Sequence, residues 1–179
     1  MYLFLAVESN GIGAISTQTL IRVALVLVNE LFDVMVLESF FIKGAKALGP
    51  AVPWHTLSQV NNGLRHEDAR DLLLRRISYV YQRKGRIVAH NMEYVLTMLT
   101  QLGLHIPSEE CECTMELGAV VCKLTNPHIK QSYYKYPKLS ELHHCLSGTL
   151  ETNWNTAEEK AYAVAQCYTM IVKQKKIGL

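Results

Sequence analysis

Two apolar runs joined by a very short polar turn constrain this chain more than any other feature. Thr19 to Asn29 and Val34 to Ile42 are rich in branched and aromatic side chains and read as strands, with Asn29-Glu30-Leu31-Phe32-Asp33 as the turn. A parallel crossover needs about a dozen residues or more, so this link makes the two strands antiparallel neighbours. Tyr2 to Val7 precedes them as a third, shorter strand. Gly44 to Pro53, dense in Gly, Ala and Pro, reads as loop. The periodicity then turns helical. Trp54 to Val60 suits a short helix ended by Asn61-Asn62-Gly63, and His66 to Arg83 repeats apolar residues at Ala69, Leu72, Leu73, Ile77, Val80 and Tyr81 before Gly85.

Arg86-Ile87-Val88-Ala89-His90 is a short buried-type strand. It leads through Asn91, a candidate N-cap, into a helix carrying Tyr94, Leu96, Met98, Leu99 and Leu102 and closed by Gly103. Leu139 to Leu146 and Thr156 to Lys173 are further helical patterns. The second has Asn155 or Thr156 as a candidate cap, Glu158 and Glu159 at its positive dipole end and lysines at the other. Strands first, then helix, strand and helix, give an α/β class with a mixed sheet.

At 179 residues, 49% of them hydrophobic and 19% charged, the chain reads as one globular domain over 1–179. A net charge of +2 neither announces nor excludes nucleic-acid binding. Met1 to Val7 has no cationic flank or small-residue cleavage site, and the apolar run Val23 to Val28 is far too short to span a bilayer. The expectation is a soluble intracellular protein, cytoplasmic or nuclear, neither secreted nor in a membrane. Five cysteines in irregular spacing suit a reducing compartment. Cys111, Cys113 and Cys122, alone or with His143, His144 or Cys145, raise a structural zinc. Their spacing matches no standard module, so free thiols are the expectation.

Three segments in order resemble the DnaQ-like (DEDD) 3′–5′ exonuclease family. Leu5-Ala6-Val7-Glu8-Ser9-Asn10-Gly11 is similar to the opening strand motif Asp-x-Glu-Thr-x-Gly. Ile87-Val88-Ala89-His90-Asn91-Met92-Glu93-Tyr94-Val95 is similar to the second motif, a strand ending in Ala-His-Asn and a helix with an aromatic residue followed by Asp. Glu158-Glu159-Lys160-Ala161-Tyr162-Ala163-Val164 stands where the family has His-x-Ala-Leu-x-Asp-Val. Cys113 to Gly118 and Tyr136 to Leu142 look like the family's connecting segments. The resemblance implies a ribonuclease-H-like fold, a five-stranded mixed sheet flanked by helices.

It also implies a chemistry, in which two divalent cations held by four carboxylates activate water and stabilise the leaving oxygen. Carried over residue by residue, the first-strand Asp position is Ala6 and the Glu position is Glu8. The middle-helix Asp position is Val95; Glu93, two residues earlier, lies about 200° around the helix and faces elsewhere. Ala163 takes the last Asp position from the local match of Tyr162-x-Val164, with Ala165 under a shift of two. The general-base position becomes Glu158. Glu8 is thus the catalytic and metal-binding candidate that remains, with Glu158 as a second catalytic candidate. One carboxylate does not hold two hard cations against water, so no cofactor is expected, and Mg²⁺ or Mn²⁺ enters only if the site is still active.

The expected function is a catalytically inactive module that binds nucleic acid or acts as a scaffold. Its candidate contacts are Ser9, Asn10, His90 and Asn91 at the motif positions. Tyr134 and Lys135 join them from Lys130 to Lys138, where tyrosines interleave with lysines as in single-strand binders. Arg75, Arg76, Arg83, Lys84 and Arg86 form a further basic set. Two alternatives stand beside this reading. One is a working exonuclease whose altered metal site recruits Glu8 and Glu158. The other is a protein-interaction subunit using His143, His144 and Cys145 or the tail Lys173-Gln174-Lys175-Lys176.

Overall fold

Alternation along the strands decides which side chains meet which helices. In the computed structural model, which describes residues 1–11, 18–45, 56–125, 134–149 and 154–177, strand β1 (Tyr2–Ser9) lies at the centre of the sheet. It pairs antiparallel with β2 (Leu20–Val28), which pairs antiparallel with β3 (Val34–Phe41). The turn between β2 and β3 is held by Asn29, whose Oδ1 accepts from the amides of Leu31 at 2.8 Å and Asp33 at 2.9 Å. That local satisfaction by an Asn side chain is what makes so short a reversal possible.

After helices α1 (Thr56–Asn61) and α2 (His66–Tyr81) the chain returns as β4 (Arg86–Ala89), parallel to β1 with Leu3 opposite Ile87 and Leu5 opposite Ala89. Helix α3 (Met92–Leu99) crosses to a three-residue β5 (Cys111–Cys113), parallel to β4. Helices α4 (Thr114–Cys122), α5 (Leu139–Ser147) and α6 (Ala157–Ile177) complete the described elements. The five strands run in the order β3-β2-β1-β4-β5, a mixed sheet. The mixed five-stranded α/β fold expected from the sequence is present.

Each face of the sheet has its own core. Leu3 and Leu5 of β1 with Val23, Leu25 and Leu27 of β2 pack against Leu73, Ile77 and Val80 of α2 and Val95, Met98 and Leu99 of α3. The intervening residues, Phe4 and Ala6 with Ala24, Val26 and Val28, face Ala157, Ala161, Val164, Ala165 and Tyr168 of α6. Alanines on both sides let α6 lie close to the sheet. At roughly 25 cal/mol per Å², burial of these faces is the main force holding the layers together. Among the described residues, no helix is long and apolar enough to cross a membrane.

Local differences from the sequence reading have physical reasons. Asn91 precedes α3 as expected, but its side chain makes no cap bond; it supplies a left-handed backbone, φ 59° and ψ 65°, which Asn tolerates better than most residues. The cap of α6 is Thr156: its Oγ1 accepts from the Glu159 amide at 3.2 Å, and Glu159 Oε2 accepts from the Thr156 and Asn155 amides at 2.9 and 2.7 Å, a capping box. Trp54 and most of Gly44 to Pro53 lie outside the described residues.

Candidate functional site at the carboxyl ends of β1 and β4

The two central parallel strands end side by side, and open α/β sheets present their binding crevices outside such carboxyl ends. A cavity of about 300 Å³ lies there. Its floor is Leu5 and Ala6 of β1, one wall is His90 with Tyr94 and Val95 of α3, and another is Leu139 and Ser140 at the start of α5. Trp154, ahead of α6, and Lys160 and Val164 of α6 close it. Among the described residues lining this cavity none carries a carboxylate.

Two expected positions meet here, Ala6 on the strand and Val95 on the helix, as residues of facing elements. The α6 contribution is Lys160 and Val164, one helical turn apart. Ala163 is fully buried and does not line the cavity. Ala165 belongs to a second cavity of about 470 Å³, with Val28, Phe32 and Tyr162.

Glu8 and Glu158 sit together beyond the cavity rim, tied to an arginine that the motifs did not single out. Arg22 on β2 stands opposite Glu8, with Nη1 4.0 Å from Glu8 Oε1, and pairs directly with Glu158 through Nη2. The Ser39 hydroxyl donates to Glu158 as well, and the Arg22 guanidinium lies 4.7 Å above the Phe41 ring. A lone arginine inside the apolar run Leu20 to Val28 was the available signal, because a half-buried guanidinium requires partners. Glu8 accepts a hydrogen bond from the Ala157 amide at the start of α6. Its carboxyl is nonetheless held above the usual range, chiefly by burial and also by Glu158, against the pull of Arg22 and Lys160. Glu8 Oε1 and Glu158 Oε2 are buried without a hydrogen-bond partner among the described residues.

Of the remaining expected contacts, His90, Ser9, Asn10 and Lys135 are engaged within the protein. His90 Nδ1 lies 3.0 Å from Thr114 Oγ1, and the ring bonds the Pro137 carbonyl; burial pushes its pKa down to about 4, so the ring is neutral at physiological pH. It ties β4 to α4 and to the approach to α5. Tyr94 Oη lies 2.7 Å from Ser9 Oγ and 2.9 Å from Gln18 Oε1, and Asn10 Oδ1 accepts from the Thr19 amide at 3.0 Å. Ser9 and Asn10 thereby hold the end of β1 against the residues preceding β2. Tyr134 is exposed, whereas Lys135 pairs with Glu141 at 2.5 Å. Lys130 to Tyr133 lie outside the described residues.

The basic set does not converge on the cavity. Arg76 clamps Glu38 of β3, Arg86 lies 3.8 Å from Glu112, and the Arg83 guanidinium stacks 3.6 Å from the Tyr79 ring centre. Arg83, Lys84 and Arg86 flank the start of β4, roughly 10 Å of strand from its cavity end.

Whether this site suits divalent cations is a question of donor chemistry. Beside it stand two carboxylates, Glu8 and Glu158, and both are already balanced by cations, Glu158 by Arg22 and Glu8 by Arg22 and Lys160. The residues present do not fit the two-cation group that the resemblance implies. The cysteines give no alternative centre: Cys113 is in the core, burial raises Cys111 to about 11 and Cys122 to about 12, and the free Cys122 thiol shares a hydrogen bond with the free Cys145 thiol. No cluster of three His, Cys, Asp or Glu suited to a metal occurs among the described residues.

The class this architecture defines is the exonuclease fold, ribonuclease-H-like in its strand order. Among the structures it matches are several of exonuclease I. A product-bound exonuclease I shares 14% identity at TM-score 0.65, covering 98% of this chain and 44% of that one. The E. coli enzyme in complex with a 5cy-dT13 oligonucleotide gives 13% identity at TM-score 0.67, covering 98% and 41%. This chain therefore spans less than half the length of those chains, and at such identity the likeness is one of fold. Comparison with protein-family models and with curated proteins gives no match.

Proposed function

We propose that this domain binds single-stranded nucleic acid at the cavity without hydrolysing it. One observation carries the reading: where a two-cation phosphodiesterase places carboxylates, this cavity presents Ala6, Val95 and the ammonium of Lys160. The family's spacing His-x-Ala-x-x-Asp, laid on the α6 residues that reach the cavity, falls on Asn155-Thr156-Ala157-Glu158-Glu159-Lys160. That register keeps the alanine and puts a lysine at the Asp position, replacing the alignment through Ala163. It puts Asn155 at the general-base position, and an amide does not take up a proton at neutral pH. The oligonucleotide complexes among the exonuclease I structures support nucleic acid as the ligand class.

The altered-metal exonuclease is disfavoured because Glu158 is already occupied by Arg22 and Ser39. A protein partner is favoured by one feature only, the apolar edge formed by Leu31, Val34, Met35 and Leu37 around β3. The test uses a labelled single strand with Mn²⁺ present. We expect affinity that falls as salt rises and no shortening of the strand. Shortening that disappears in Glu8→Ala would establish an active enzyme instead, and absence of binding at low salt would remove nucleic acid from the account.

A further inference from the structure

Lys160 changes what the cavity recognises, beyond what it fails to catalyse. We propose that the cavity is a metal-independent receptor for a nucleoside monophosphate unit, with Lys160 supplying in covalent form the positive charge that bound cations supply in a nuclease. The inference rests on the nucleic-acid reading above and names the ligand group at its centre.

Three observations converge on it. The cavity volume of about 300 Å³ is at the lower end of small-ligand pockets, roughly 300 to 1,000 Å³, so it admits one nucleotide rather than a run of them. Its lining includes the aromatic side chains of Trp154, Tyr94 and His90, and the His90 ring is uncharged, so contact with a base costs no desolvation of an imidazolium. The polar side chains it offers an anion are few: the Lys160 ammonium and the Ser140 hydroxyl at the start of α5.

The local charge is suited to an incoming phosphate. Glu8 and Glu158 are matched by Arg22 and Lys160, so the site is near neutral before the ligand arrives. Four carboxylates without cations would repel a phosphate; this arrangement removes that repulsion and leaves Lys160 as the cation that lines the cavity. Divalent ions are therefore unnecessary for binding, and they have no carboxylate cluster to occupy.

Trp154 is a built-in reporter, because the chain has two tryptophans and Trp54→Phe leaves it alone. We expect dTMP, in buffer containing EDTA, to quench Trp154 fluorescence saturably, with thymidine weaker by about tenfold, the scale of one charge-assisted contact. Lys160→Met keeps the apolar stem and removes the charge; it should abolish the preference for dTMP over thymidine while the melting temperature holds. A strand bearing a terminal phosphate should compete with dTMP, which separates strand-end recognition from capture of free nucleotide only. Equal quenching by thymidine and dTMP, an undiminished preference in Lys160→Met, or a strict requirement for Mg²⁺ or Mn²⁺ would overturn the proposal. Salt-dependent binding of single strands alongside no response to dTMP would sink this inference alone and leave the nucleic-acid reading standing.

Discussion

The buried Glu8 carboxylate is balanced by Arg22, Lys160 and the Ala157 amide. Burial still outweighs them. Because its folded pKa is raised, Glu8 contributes stability below its unfolded pKa that is lost as pH rises through the folded value. Glu8→Gln, which keeps the amide contact, should therefore raise the melting temperature at pH 7; a clear fall would show that the Arg22 pair dominates. His90 has the opposite linkage, with its pKa down from 6.5 to about 4. Below pH 6.5 the unfolded chain binds the extra proton, so the stability this ring contributes is full above that pH and lost as pH falls toward 4. The loss is about 3 kcal/mol at order of magnitude. Thermal melts from pH 7 to 4 should show it, and His90→Gln should flatten that part of the curve; an unchanged slope would assign the acid lability elsewhere. At this scale the sequence was legible where motif and secondary structure agree. Ala6 and Val95 line the cavity on a strand and a helix that were both read, although β1 runs on to Ser9 and α3 ends at Leu99. Lys160 was missed because the local match of Tyr162-x-Val164 outweighed the capping signal Thr156-x-x-Glu159, which fixes where α6 starts and hence which residues face inward.

Helices α4, α5 and α6 form the cavity's outer support, and their fit depends on one close approach. A Cβ at Gly118 of α4 would meet Leu142 Cδ1 at 2.7 Å and Pro137 Cγ at 3.0 Å, and Leu142 is fully buried. Gly118→Ala should cost about 1–3 kcal/mol by overpacking, despite the better helix propensity of Ala, as read by urea denaturation. A stabilised variant would show that α5 is free to shift. The same change should weaken ligand binding, because α5 carries Leu139 and Ser140 into the cavity. Neither α4 nor β5 was read from the sequence. Cys111-Glu112-Cys113 is three residues long and owes its strand state to pairing with β4, a tertiary cause that a short window does not carry. Thr114 to Cys122 is apolar on several sides, with exposed Val120 among them, so its helical period is weak. The longer elements were legible because their periodicity extends over several turns or strand repeats, and the β2–β3 reversal because its length excludes any other pairing.

Over the whole molecule, this chain shares its scaffold with exonuclease I, and among the described residues lining the cavity at the ends of β1 and β4 none is a carboxylate. The two layers of core, the parallel β1 and β4 and the crevice at their ends are consequences of strand order and side-chain alternation. None of these depends on whether position 6, 95 or 160 is acidic. Fold therefore gives the place of the site, and the side chains at that place give its chemistry. Without clustered like charges in the cavity lining, the domain should be stable without metal. Calorimetric titration with Mn²⁺, with the melting temperature followed in parallel, tests this most directly. The account predicts no saturable heat and no change in melting temperature; two-site binding with a large rise in melting temperature would contradict it.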